Sequence, residues 1–306
     1  MKPFDIVILT DSRYLSPEST SPYITNVILE DEIVTNELEK LDLNVTRKAW
    51  NDDSFNWSHA KCAIFRATWD YFERYEEFSK WYEETAKQTI FINSKSLIDW
   101  NIDKHYLSDL NENGVNIPET LIIEPKTKTT LTAAINKAKT LYKYVSNDFV
   151  LKPCIAGGAR HTYKFNMSEA HTYEKVFQQL IAGEAMMLQE FQTNIVKGGE
   201  ISMMVFNGEF THAVLKIAKP GDFRVQDDYG GTVHNYEPSK DEIDFAIATV
   251  KAAPELPVYA RVDIFKDNHE KWALAELEIF EPELWFRFKP KAAEVLAQTI
   301  KTLYFD

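Results

Sequence analysis

With 306 residues the chain is long enough for two domains of about 150 residues each, or for one large α/β unit. Hydrophobic residues make up 44% and charged ones 26%, an ordinary globular balance that excludes a disordered chain. Lysine and arginine number 34 against 47 aspartates and glutamates; the net charge of −13 argues against nucleic acid or an anionic membrane as partner, while a few arginines can still build a local site for an anionic small molecule.

No apolar run approaches the roughly 18 residues of a membrane span. The start, Met1-Lys2-Pro3-Phe4-Asp5, puts a proline and an acid where a signal peptide needs an apolar core. Cys62 and Cys154 are too few for a disulfide framework, and no CxxC or cysteine–histidine cluster points to zinc. These features predict a cytoplasmic protein.

Residues 5–10 form a short β-branched run, the pattern of a buried parallel strand. Val27, Ile28, Ile33, Val34, Leu38 and Leu41 then recur near helical spacing. Strands are predicted at 44–50, 62–65 and 90–92, with a helix over 73–88. Such alternation predicts a parallel sheet with helices on its faces, and ligands of such sheets sit at the C-terminal strand ends. Two loops fall there, residues 10–14 and 66–71. The second offers Arg66, Asp70 and Tyr71 to a ligand, or is a surface loop closed by an Arg66–Asp70 ion pair.

From about residue 101 the organisation changes. A helix over 102–113 ends at Gly114. Strands at 121–123, 149–153 and 186–191 alternate with helices over 130–144 and 168–181, a βαβ-like block that would form a small middle subdomain. The remainder is strand-rich, with strands at 201–206, 210–216, 258–265 and 272–279. Ser239-Lys240-Asp241-Glu242 has capping-box form and opens a helix. A last amphipathic helix spans 291–303. The predicted class is α/β, passing to α+β in the C-terminal half.

Charged residues on the last strands carry the chemistry. Alternation puts Arg261 and Asp263 on one strand face, and Glu276 and Glu278 share a face of the next strand. A turn at 266–270 would make the two a hairpin. Carboxylates that close raise one another's pKa unless a cation sits between them, and magnesium is the natural occupant. Equally, this is the solvent face of an antiparallel hairpin. Lys152 ends a strand and precedes Ala156-Gly157-Gly158-Ala159, a small-residue loop suited to phosphate. It has neither the P-loop order nor GxGxxG, and also reads as a solvated lysine before a turn.

The order of these pieces is more specific than any one of them. Trp100-Asn101-Ile102-Asp103-Lys104, Val150-Leu151-Lys152-Pro153 with Gly157-Gly158, Leu188-Gln189-Glu190-Phe191, Glu200, Lys216, Gly221-Asp222-Phe223-Arg224, Arg261-Val262-Asp263 and Glu276-Leu277-Glu278 together resemble the ATP-grasp superfamily, in its glutathione-synthetase-like group. Within that group the chain resembles most the branch that includes O-ureido-serine cyclo-ligase. There the match continues through the Arg66–Tyr71 loop, Val225-Gln226 and Glu281-Pro282, covering about Asp5 to Phe286.

The resemblance implies an ATP-grasp fold with an N-terminal pre-ATP-grasp α/β domain at 1–100, a small central subdomain at 101–188 and a C-terminal subdomain at 189–306. Lys104 and Lys152 would contact the nucleotide phosphates, under a closing Gly157–Gly158 loop. Gln189, Glu190 and Phe191 match the hinge strand beside the adenine, and Glu200 the acid on the ribose. Asp263, Glu276 and Glu278 match the ligands of magnesium, two ions with manganese as an alternative. Many members have asparagine where this chain has Glu278, although the nearer branch shares the ExE form. Lys216, Arg224 and Arg261 would supply catalytic charge, and Arg66, Asp70, Tyr71 and Glu281 would face the substrate.

The implied activity joins a carboxylate to an amine, on an amino-acid-like or small peptide substrate. ATP activates the carboxylate as an acyl phosphate, and ADP and phosphate are released. A cyclo-ligase closing a ring within one substrate is a narrower form, and a nucleotide-binding protein without turnover is the alternative. Implied partners are small-molecule carboxylates and amines, with a homo-oligomer left open.

Overall fold

The structure, a computed structural model, describes residues 2–17, 21–222, 224–225 and 230–306. Phe223 and Gln226 of the resemblance lie outside the described residues.

Four strands, β1 (Phe4–Thr10), β2 (Val45–Ala49), β3 (Ala60–Phe65) and β4 (Ile90–Ile92), form the predicted parallel sheet in the order β2-β1-β3-β4. β1 and β3 read as unbroken apolar runs because both faces are covered. Helix α1 (Pro22–Glu39) begins five residues before the hydrophobic spacing indicates, since Ser21 caps the Ile24 N–H and Pro22 sits in the first turn. Helix α2 (Tyr75–Ala86) covers the other face.

The helix expected over 102–113 is the shorter α4 (Tyr106–Glu112), and a separate helix, α3 (Lys95–Asn101), precedes it. Ser94 caps α3, and between them Asp103 turns the chain by accepting the His105 N–H.

The middle unit contains β5 (Thr120–Ile123), α5 (Leu131–Tyr142), β6 (Asp148–Pro153), β7 (Tyr163–Asn166), α6 (Ala170–Ile181) and β8 (Met186–Glu190). Its sheet order is β5-β8-β6-β7 and every pair is antiparallel, so the βαβ-like expectation is corrected: β8 lies between β5 and β6. Both helices pack on one face of this sheet over Phe149, Leu151 and Leu188. β8 runs across the 188/189 position.

After α7 (Thr193–Gly198) come β9 (Glu200–Phe206), β10 (Glu209–Ile217), β11 (Thr232–Tyr236), α8 (Lys240–Lys251), β12 (Tyr259–Lys266), β13 (Trp272–Glu278) and α9 (Lys291–Tyr304). Their antiparallel sheet has the order β11-β10-β9-β12-β13. The expected hairpin forms, with Arg261 opposite Glu278 and Asp263 opposite Glu276. Ser239 and Glu242 make the expected capping box. α9 joins α1 and the 284–286 segment in one core, which brings the C-terminal ends of β1 and β3 up against the last sheet. Among the described residues no helix is long and apolar enough to cross a membrane.

Candidate active site

Loops beside the first sheet and strands of the other two line one cavity of about 780 Å³. Its floor is an ion cage on β9, β10 and β12. Asp263 accepts from Ser202 Oγ at 2.6 Å, Lys216 Nζ at 3.0 Å, and Arg261 Nε and Nη2 at 3.0 and 2.9 Å. Lys216 also meets Glu200 at 2.5 Å, and Arg261 pairs with Glu278. Burial disfavours the charged Asp263, but Arg261 and Lys216 outweigh it and hold its carboxyl below the ordinary range. Burial likewise opposes the charged Lys216, while Asp263 and Glu200 raise it further. Burial raises Glu200, against the pull of Lys216. Ser202, fully buried at the centre of this cage, has no sequence signal of its own.

Two lysines form the next layer. Lys104 donates to Ala156 O at 2.8 Å and pairs with Glu276 at 2.9 Å, so it ties the turn between α3 and α4 to both the small-residue loop and β13. Lys152 lines the cavity and its ammonium makes no hydrogen bond or ion pair among the described residues; burial draws it below the ordinary lysine range. Such a cation is suited to an anionic ligand. The Gly157–Gly158 loop above it is anchored by Arg160, which grips Glu184 at 2.8 and 3.1 Å. Gly158 has φ +54°, a left-handed conformation. Gly157 is needed for space: a Cβ there would stand 2.7 Å from Phe72 Cε1, on a loop of the first sheet.

At the cavity's other end lie Gln189, Glu190 and Phe191, the residues expected to form the hinge. Gln189 donates to Thr120 Oγ1 at 2.7 Å, and the Glu190 carboxylate accepts the N–H groups of Val145 and Ser146. Glu190 O accepts from the Gln192 side chain at 3.1 Å, Phe191 N–H is donated to Asp148 O, and Phe191 O accepts from Asn268. A base edge entering here would displace the Gln192 amide.

The donor set opposite the lysines fits magnesium. Glu276, Glu278 and Asp263 offer hard oxygens, and Glu278 is raised to about 8 by burial, with Glu276 and Asp263 adding to it against Arg261. Buried carboxylates gathered so closely suit a divalent ion. Glu276 and Glu278 face the cavity with side chains a third and a quarter exposed, whereas Asp263 is already saturated by its cage. The fold also brings Asp103, His105 and Cys154 within 4.8 Å, a cysteine–histidine grouping the sequence did not indicate; its imidazole is engaged by Asp103 and Glu124.

The substrate side differs most from expectation. Tyr71 and Glu281 line the cavity; burial raises Glu281 to about 7 and Tyr71 above its ordinary range. Arg66 and Asp70 do not line it, and no Arg66–Asp70 pair forms. Asp70 instead accepts Trp50 Nε1 at 2.7 Å and Arg74 at 3.0 Å. Arg66, 3% exposed, lies between Asp31 and Glu30 at 3.6 and 3.8 Å and donates to Pro282 O at 3.0 Å. The wall beside Tyr71 is made by Arg13, Tyr14, Tyr23, Trp69 and Trp285. Arg13 lies in the 10–14 loop, so its strand-end position was a legible signal. Arg224 lines the cavity and pairs with Asp222 at 2.7 Å.

Residues 107–279 match the RimK-like ATP-grasp domain, and residues 6–93 match the N-terminal domain of D-cycloserine synthetase DcsG. The cycloserine biosynthesis protein DcsG of Streptomyces lavendulae is 27% identical over 266 residues, 82% of this chain and 86% of the relative. The crystal structure of D-cycloserine synthetase DcsG superposes with a TM-score of 0.84 at 23% identity, over 97% of this chain and 98% of that one. A D-alanine–D-alanine ligase from Bacillus anthracis complexed with ATP superposes at 0.63 and 14% identity, over 98% and 96%. At such identities the solved structures speak for the fold alone.

Proposed function

The chain belongs to the RimK-like ATP-grasp family, and from that premise we propose which residues perform its ligation and on what. It is an ATP-dependent ligase that forms a C–N bond on an amino-acid-like or small peptide substrate. The observation that carries the residue assignment is one cavity in which Lys152, its ammonium without a protein partner among the described residues, faces the same space as Glu276 and Glu278.

Lys104 and Lys152 take the nucleotide phosphates, under the Gly157–Gly158 loop. The hinge at Gln189, Glu190 and Phe191 receives the adenine, and Glu200 the ribose. Glu276, Glu278 and Asp263 would hold magnesium, two ions in this reading, with manganese as an alternative. Bound there, magnesium would offset the negative charge of the phosphates. Arg224 and Arg261 orient the transferring phosphoryl group through planar guanidinium forks, which a lysine could not mimic. Lys216 holds Asp263 and Glu200 in place and adds positive charge to the site. The substrate carboxylate attacks the γ-phosphorus, ADP leaves, and an amine displaces phosphate from the acyl phosphate. The protein contributes position and charge, so no covalent nucleophile is required. Tyr71 and Glu281 face the substrate. Cyclisation within one amino-acid derivative is the narrower reading, favoured by the match of residues 6–93. Its need for ATP supports a cytoplasmic location.

ADP release is the test, measured with D- and L-O-ureidoserine and with pooled amino acids, each with magnesium and with EDTA. Magnesium-dependent release stimulated by one of these probes is expected. Tight ADP binding with no stimulated release would leave a nucleotide-binding protein without turnover.

A further inference from the structure

Residues 280–287 form no helix or strand, yet their backbone is held by side chains from four other segments. Phe280 O accepts from Tyr259 OH at 2.9 Å, Glu281 O from Trp69 Nε1 at 2.9 Å, and Pro282 O from Arg66 Nη1 at 3.0 Å. Glu283 O accepts from Arg261 Nη1 at 3.4 Å and Leu284 O from His212 Nε2 at 3.0 Å. Then Phe286 and Arg287 donate their N–H groups to the two oxygens of Glu30, both at 2.9 Å. Five consecutive carbonyls and two amides are therefore each bonded to a side chain.

The residue between these two runs is strained. Trp285 has φ +55°, a left-handed conformation that a bulky side chain adopts at a cost of about 1–3 kcal/mol. Such a residue persists only where its surroundings over-determine it. Here Leu284 is bonded on one side and Phe286 on the other. The anchors from the N-terminal sheet are almost sealed from solvent: Glu30 is 2% exposed and Arg66 3%. Arg66 also lies over the Phe286 ring, 5.6 Å from its centroid. Glu281, Glu283 and Trp285 of the clamped segment line the cavity.

We propose that Arg66 and Glu30 are positioning residues that fix the 280–287 segment as the substrate-side wall of the cleft, so that Glu281 is presented to the ammonium of an amine substrate. This rests on the ligase reading above. It also reassigns Arg66: the guanidinium acts on the substrate through the segment it clamps. Neither residue touches the nucleotide side, so the nucleotide and the substrate should respond separately. In Glu30→Gln one of the two acceptor oxygens becomes an N–H donor that faces a backbone N–H. Arg66→Lys has no fork to span Pro282 O and the two acids. Trp69→Phe keeps an aromatic ring, though a smaller one, and removes one bond, a milder change should the buried variants fold poorly.

Hydrogen exchange is followed at the Phe286 and Arg287 amides and along β9, with ADP–magnesium titration and steady-state ADP release on D- and L-O-ureidoserine. The Phe286 and Arg287 amides should exchange at least tenfold faster in Glu30→Gln and Arg66→Lys, with β9 and ADP affinity unchanged. The KM for O-ureidoserine should rise at least fivefold while that for ATP stays within twofold. Unchanged exchange, or acceleration shared by β9 with both KM values rising together, overturns the proposal. If the unaltered protein turns over neither probe, the choice of substrate fails separately. The exchange pattern with ADP affinity then decides alone: local acceleration supports the clamp and uniform acceleration refutes it.

Discussion

Gly157→Ala isolates the contact between the phosphate loop and the N-terminal sheet. Gly157 has an ordinary φ, so alanine brings no backbone strain. The new Cβ would stand 2.7 Å from Phe72 Cε1 and 2.9 Å from Cδ1, against about 3.5–4.0 Å for carbons at their optimum. The overlap requires the ring to swing out or the loop to lift off the lysines. Overpacking of this size costs about 1–3 kcal/mol. Taken from the closed, nucleotide-bound state, that corresponds to a roughly 5- to 150-fold rise in the ADP dissociation constant. Calorimetric titration of ADP–magnesium measures it directly. Phe72→Ala removes the obstacle, so the double variant should bind within about threefold of Phe72→Ala alone, the residual expected of additive changes. Gly158→Ala is the control: Phe72 is 3.7 Å away and the penalty comes from φ +54°, so Phe72→Ala should not relieve it. The reasoning fails if Gly157→Ala binds ADP normally, or if removing the ring leaves its defect intact.

Glu276→Gln should lower turnover at least about 100-fold by losing a metal ligand, with a melting temperature within about 2 °C of the parent, because the amide oxygen can still accept from Lys104; parental turnover would remove Glu276 from the metal site. Glu200→Gln should raise the KM for ATP about tenfold with kcat within about threefold, since a ribose contact is equal in ground and transition states; a collapse of kcat at constant KM would place Glu200 at the chemistry. His212 gives a pH signature. Burial lowers its pKa from 6.5 to about 4, so below pH 6.5 the unfolded chain takes up a proton that the native one resists. The stability it contributes is complete above pH 6.5 and is lost as pH falls toward 4, about 2 kcal/mol by pH 5. Urea unfolding at pH 7.5 and 5.0 should show that loss in the parent and less of it in His212→Gln; equal losses would contradict the buried neutral imidazole.

Local rules carried much of this architecture. β1 and β3 were legible because strands buried on both faces read as unbroken apolar runs, and the last helices because Ser239 with Glu242 and the 291–303 periodicity involve neighbours within one or two turns. The facing of Arg261 and Asp263 followed from strand alternation and one turn. Short or locally ambiguous elements were missed: edge strands β7 and β11, and the break at Asp103 that divides α3 from α4. The family resemblance supplied the order of the nucleotide motifs, which no single loop could.

Which partner a charged side chain meets was settled by the tertiary structure. Arg66 follows a buried strand, as a ligand-facing arginine would, and Asp70 sits four residues on. The parallel sheet instead brings α1 across β3, and Glu30 and Asp31, more than thirty residues earlier, take the guanidinium. The same crossing sends Glu30 to the amides of Phe286 and Arg287, some 256 residues away. Arg13, by contrast, lines the cavity with more than half its side chain exposed. Strand periodicity tells which face a residue occupies, because backbone geometry repeats every two residues. It carries no information on which remote element will cover that face, and on that the division between binding the substrate and holding its wall depends.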